Sequence, residues 1–206
     1  MRSPQSVETL ENLGRERLSP SFFMRDFLYS EIASIHGLRN VPEDPKLALE
    51  TGSALCRQLL EPLQRTFGRI AIRSAYRSPA VNQFGNENKL GCGANELNYA
   101  AHIWDKRDVD GLKGAMACIV IPWFADRYAN GADWRALAYW IDDHLPYSTL
   151  QFFPTLCAFN IGWHERPSRR ITSYIKPTGL LFKEPPPKGE HAHLYEDFPP
   201  YQPGDA

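Results

Sequence analysis

The sequence predicts an α+β fold, an antiparallel sheet with N-terminal helices packed on one face. Three observations lead there. Apolar residues recur at steps of three and four through the first third of the chain, and short apolar runs of strand length gather in the second half. The residues are 43% hydrophobic and 12% aromatic, enough to fill one sizeable core at 206 residues.

Taken in order, residues 1–17 read as a polar extension, 18–175 as the domain and 176–206 as a proline-rich arm. Ser19 or Ser21 can cap a first helix in which Met24, Phe27, Leu28, Ile32 and Ile35 share a face, and Gly37 ends it. The turn Asn40-Val41-Pro42-Glu43-Asp44-Pro45 precedes a second helix with Leu55, Leu59, Leu63 and Phe67 on one stripe. Pro62 should bend that helix or mark its last full turn. A strand follows at Ile70 to Arg73, and Ser78-Pro79 then read as the cap and first position of a short helix.

The segment from Gly85 to Gly114 is polar and glycine-rich and reads as a long functional loop. Ala115 to Pro122 is a continuous apolar run, expected to be a central strand buried on both faces. Asp133 caps a helix carrying Trp134, Leu137, Trp140 and Ile141. Further strands are expected near Leu150 to Phe153, Ala158 to Trp163 and Ile171 to Ile175. Beyond Lys176 the density of proline points to an extended arm on the body or on a partner.

Composition also excludes some functions. Lys+Arg 23 against Asp+Glu 24 gives a net charge of -1, so neither nucleic acid nor an anionic membrane is an expected partner. No apolar run approaches the roughly 20 residues that cross a bilayer, and residues 1–18 lack a secretory pattern, so the expected location is cytoplasmic. Cys56, Cys92, Cys118 and Cys157 form no C-x-x-C pair and are expected to be reduced, mostly packed thiols.

Several landmarks then line up. Leu18-Ser19-Pro20-Ser21-Phe22-Phe23 with Asp26-Phe27, Asn40-Val41-Pro42, Leu60-Glu61-Pro62-Leu63, and Ser74-Ala75-Tyr76-Arg77-Ser78 followed by Asn82 occur in that order, with Leu145-Pro146-Tyr147 through Gly162-Trp163 as a closing segment. In this the chain resembles the zinc D-Ala-D-Ala carboxypeptidases and hedgehog-like metallopeptidases over residues 18–175. The resemblance implies a carboxypeptidase-like fold and hydrolysis of an amide or peptide-like bond. It also implies a small peptide-like or amino-acid-like substrate held by Ser74, Tyr76, Arg77 and Asn82, and a divalent metal, zinc, as cofactor.

The family's zinc is held by a His and an Asp in S-x-H-x-x-G-x-A-x-D and by a later His, with a Glu as general base. Three protein ligands plus a water of lowered pKa, and a carboxylate to take its proton, are what that chemistry requires. Here His102 falls at the first histidine, and Cys118 or Val109 at the aspartate according to the alignment. Asn160 stands where the second histidine belongs, with His164 four residues on.

The densest group of polar ligand types is His102-Ile103-Trp104-Asp105-Lys106-Arg107-Asp108-Val109-Asp110, a histidine with three nearby carboxylates, in which His102, Asp105 and Asp108 are the candidate ligands for zinc, iron or manganese. A solvated acidic loop with self-capped turns is the plainer account of it. His164 and Glu165 are the candidate proton shuttles, and Asn160 and Trp163 candidate wall residues beside Trp104. Cys118 reads as packing more than nucleophile, and His191 and His193 in the arm as adventitious metal binders. Two rivals to a metal-dependent hydrolase stand beside it: a binding or structural module that kept the scaffold and lost the zinc, in a phage-derived or assembly setting, or a repurposed metal-free enzyme.

Overall fold

In the computed structural model, which describes residues 1–203, a six-stranded mixed sheet is built against helices. The strands are β1 (Ala71–Ser74), β2 (Gly114–Val120), β3 (Thr149–Phe152), β4 (Phe159–His164), β5 (Arg170–Ser173) and β6 (Gly179–Leu180), in the order β1-β2-β4-β3-β5-β6. The α+β expectation holds, but the sheet is not purely antiparallel. β5 runs parallel to β3 because the chain leaves β4 and passes to the far side of β3, while every other pair is antiparallel.

The helices are α1 (Val7–Gly14), α2 (Glu31–His36), α3 (Pro45–Leu55), α4 (Glu61–Phe67), α5 (Pro79–Glu87), α6 (Asn95–Asn98), α7 (Pro122–Ala129) and α8 (Trp134–His144). The expected first helix divides. Met24–Phe27 forms only a tight 3-10 turn, and α2 starts afresh with Ser30 as its cap and ends at Gly37, whose φ of +64° suits a residue without Cβ. The polar extension contains α1, closed by reciprocal Ser6 and Thr9 hydrogen bonds.

α3 and α4 form one long rod. A π-helical turn over Cys56–Leu60 lies between them, and Pro62 stands in the first turn of α4, where its missing amide hydrogen costs least. Leu55, Leu59 and Leu63 are fully buried on the predicted stripe, and Phe67 nearly so. They meet Ala115, Ala117 and Ile119 of β2 and Ile161 of β4, and Leu137 and Ile141 of α8 complete the same core. At about 25 cal/mol per Å² of apolar surface, burial on this scale is the main stabilising contribution.

β2 is fully buried on its helix side and partly on the other, where Gly114 and Val120 are buried and Met116 and Cys118 are not fully so. Its burial alternates, with Ala115, Ala117 and Ile119 enclosed while Met116 and Cys118 are half-buried. Most helices cover one side of the sheet; the other carries a small apolar cluster of Val120, Ala125 and Ala158 beside Cys118, and a row of half-buried polar groups, which is where the site lies.

The proline-rich arm lies on the body. Phe198 packs against Phe67, Trp123 and Phe124, and Tyr201 packs against Trp140 and His144. Two buried carboxylates tie the N-terminal motifs down. Glu61 accepts from the Ser19 hydroxyl at 2.7 Å and the Ser21 amide at 2.6 Å, and Asp105 accepts from the Glu43 amide at 2.7 Å.

Candidate functional site

The cross-strand register fixes the site. Ser74 stands opposite Cys118, Cys118 opposite Asn160, Asn160 opposite Gln151, and Gln151 opposite Thr172. All five are half-buried, so one polar row crosses the open face from β1 to β5. The register slips between Ile72 and Ser74, so Arg73 falls in a bulge next to Ser74, the partner of Cys118.

Two loops bring Arg77 and His102 to the same row. The Arg77 amide donates to the His102 carbonyl at 2.8 Å, and His102 Nδ1 lies 2.8 Å from the Ala75 carbonyl. A carbonyl can only accept, so Nδ1 carries the proton and Nε2 is left bare in the neutral ring. Asn40 stiffens the turn by donating to the Leu28 and Tyr76 carbonyls and accepting from the Ser78 amide at 2.7 Å. This gives Asn40-Val41-Pro42 a structural role in presenting Arg77.

Gly114 makes the approach of the histidine loop feasible. A Cβ there would come within 2.1 Å of the Ala100 carbonyl oxygen, so the loop can lie on β2 only against glycine. Ala100 itself has a φ of +53°, strained for a residue with a side chain.

The electrostatics of the row are cationic. Burial first, and the Arg77 guanidinium second, push His102 down to about 3, against its hydrogen bonds to Ala75 and to the Asn160 side chain. Burial pushes the Cys118 thiol up to about 11, with Arg73 and Arg77 pulling it down and Glu31 adding to the rise. Among the described residues neither Arg73 nor Arg77 has an ion-pair partner, and Arg77 Nε is buried without a hydrogen-bond acceptor. One nitrogen of its fork reaches Cys92 Sγ at 2.6 Å.

The other expected site residues divide clearly. Asp105 is buried and occupied by the amides of Glu43 and Asp44 and by the Tyr76 hydroxyl at 3.2 Å. Burial holds its carboxyl above the ordinary range against those bonds. Asp108 closes its own turn, accepting from the Asp110 and Leu112 amides, and its second oxygen lies 3.0 Å from His164 Nε2. Burial opposes it, but the Leu112 amide and the His164 ring hold the Asp108 carboxyl below the usual carboxylate range. His102, Asp105 and Asp108 are therefore committed to separate partners, and among the described residues no three His, Cys, Asp or Glu side chains form a group that could hold a metal ion.

His164 follows Asn160 by four strand residues, roughly 13 Å at 3.3 Å per residue, and both its ring nitrogens are engaged, by Asp108 and by the Arg166 backbone. Glu165 accepts from the Lys113 amide and pairs with its ammonium at 3.0 Å. Neither is placed with Arg77. Tyr76 is fully buried and set edge-on to Trp104. Asn82 is also fully buried, holding the Gly93 carbonyl and Asn95. Trp163 packs on the core side of β4. Of the expected set, Ser74 and Asn160 stand on the row, and the backbone bond between Arg77 and the buried His102 sets those two beside it.

Arg73 and Gln151 belong to the row and were not among the expected residues. Their signal is cross-strand register, which a single sequence does not carry. A separate cleft of about 890 Å³ opens between α1 and α2, lined by Val7, Leu10, Leu28, Tyr29, Ala33 and Leu38 among others, and contains none of these residues.

No protein-family model matches the chain, and no curated protein or solved structure does.

The implied zinc does not fit the residues present. His102 has an unprotonated Nε2 on a ring oriented by the Ala75 carbonyl, as a metal-binding imidazole would, but the Asn160 side chain bonds the same ring. Its neighbours are a thiol held protonated and an amide, beside two guanidinium groups. A catalytic zinc needs three anionic or imidazole ligands and an open position, and this set supplies one.

Proposed function

We propose that the chain is a ligand-binding module on a carboxypeptidase-like, hedgehog-like scaffold, holding a small peptide-like or amino-acid-like ligand on the open face of the sheet without a zinc-activated water. The observation that carries this reading is the meeting of Arg77, His102, Cys118 and Asn160 on one polar row, while Asp105 and Asp108 are spent on backbone amides and turns. The row has what recognition needs: a guanidinium with spare donors, a neutral imidazole and two primary amides on rigid strands.

Nothing in it supplies the carboxylate base and metal hydroxide that peptide hydrolysis of this family's kind demands. A thiol held near 11 is also a poor nucleophile at neutral pH.

The test is elemental analysis of untagged full-length protein combined with an amine-release assay on N-acylated dipeptides. The reading expects substoichiometric metal and no release, with or without added zinc. One tightly held zinc per chain, lost in His102→Ala together with peptide cleavage, would overturn it.

A further inference from the structure

We propose that the cleft between α1 and α2 binds a small amphiphile, an alkyl or acyl chain of medium length ending in a carboxylate, with Arg25 holding the head. This site shares no residue with the polar row and stands independently of the function proposed for it. The cleft has a volume of about 890 Å³, within the range of sites for small organic molecules. Val7 and Leu10 of α1 form one wall, and Leu28, Ala33 and Leu38 the other. α1 leaves this surface open because only its Leu13 and Gly14 are buried, while Val7 is 85% and Leu10 37% exposed. An alkyl chain lying between the two walls removes that apolar surface from water, at up to about a fourfold gain in affinity per methylene.

The charge of the lining selects the head group. An arginine stands at each end of α1, and both line the cleft. Arg25 lies across Gly14 at the C-terminal end, its Cβ only 3.3 Å from where a Cβ on that glycine would be. Its Nε donates to the Gly14 carbonyl at 3.4 Å, and among the described residues its two terminal nitrogens have no partner. At the other end the Arg39 fork is already spent on neutral acceptors, the Pro4 carbonyl and the Gln5 side-chain oxygen at 3.3 Å. Among the described residues Glu11 is the only acid in the lining, and it pairs with Arg15. The cleft is therefore apolar along its walls and cationic at its ends, which complements an apolar chain with one negative head. Arg25 is the arginine with donors to spare, and its planar fork matches a carboxylate. The eight residues of α1 span roughly 12 Å at 1.5 Å per residue, and closure by a side chain at both ends suits a chain of finite length better than a polypeptide passing through.

The experiment is calorimetric titration of the full chain with hexanoate, octanoate and decanoate, with 1-octanol as the uncharged control, and mapping of backbone amide resonances on adding octanoate. The expected result is saturable binding that tightens by about twofold to fourfold for each methylene added. Octanol should bind about tenfold more weakly than octanoate, and octanoate about tenfold more weakly to Arg25→Gln than to the original chain. Leu10→Gln, at a partly exposed position where folding is not at stake, should weaken octanoate severalfold without changing the ratio of acid to alcohol. The resonance shifts should gather in residues 4–14 and 28–41. Equal affinity for octanoate and octanol overturns the proposal, as does an octanoate affinity that neither variant changes. Shifts confined to the polar row of the sheet would also overturn it, by placing the acid at the other site. Binding to vesicles of anionic phospholipid with no saturable binding of the soluble acids overturns it too, and makes the cleft a membrane contact instead.

Discussion

The Arg77 amide donates to the His102 carbonyl across 2.8 Å, and the His102 ring answers by bonding the Ala75 carbonyl at the same distance. Residues far apart in the chain thus form a two-bond clasp at the edge of the open sheet face. The clasp fixes the imidazole tautomer and ties the arginine turn to the histidine loop. Four consequences can be measured.

His102 should make the fold acid-labile. Its pKa in the folded chain is about 3 against 6.5 for an unperturbed histidine, so between those values the unfolded state binds the extra proton. The stabilisation is complete above pH 6.5 and is lost as pH falls toward 3, with a slope of at most about 1.4 kcal/mol per pH unit. Urea unfolding from pH 7 to pH 4 should show that slope, and His102→Gln should flatten it. An unchanged slope in the variant would show that the imidazole is not the titrating group.

Cys118 should resist alkylation. With its thiol near 11, roughly one molecule in a thousand is thiolate at pH 8. Peptide mapping after iodoacetamide treatment should find Cys118 modified about a hundredfold faster once the chain is unfolded, since its reference value is about 9. Rapid labelling in the folded protein would point to a nucleophile instead.

Gly114→Ala should dislodge the histidine loop. The added methyl would meet the Ala100 carbonyl oxygen at 2.1 Å, a backbone atom that cannot rotate aside. A loss of about 1–3 kcal/mol in unfolding free energy is expected, as for overpacking at a buried contact. The His102 ring resonance should shift as well, which distinguishes a moved loop from general weakening.

Asp105→Ala should act on stability and not on metal content. It removes the acceptor for the Glu43 and Asp44 amides and the Tyr76 hydroxyl, at an expected cost of about 2–4 kcal/mol. Unfolding curves, with metal content before and after the change, check this. A loss of bound metal on substitution would restore Asp105 as a ligand.

Much of the scaffold was legible because its signals are local. Ser78-Pro79 capped α5 through the Val81 amide, Asp133 capped α8, and the four-residue steps from Leu55 to Phe67 marked the buried stripe.

What stayed illegible depends on pairing between distant segments. Met116 and Cys118 count as apolar in Ala115 to Pro122, so that run does not disclose that one side of β2 is only partly covered. A carboxylate that turns back on its own amides, as Asp108 does, has the same sequence as one that binds a metal. α1 escaped notice because only Leu13 and Gly14 of its residues are buried, too little to stand out as periodicity.

The most direct measurement is calorimetric titration of untagged full-length protein with N-acetyl-D-alanyl-D-alanine in the presence of a chelator, with mass spectrometry of the peptide afterwards. The account predicts saturable binding that needs no metal, weakens at least tenfold in Arg77→Gln, and returns the peptide intact. Binding that vanishes with the chelator, or a cleaved peptide after zinc is restored, would contradict it.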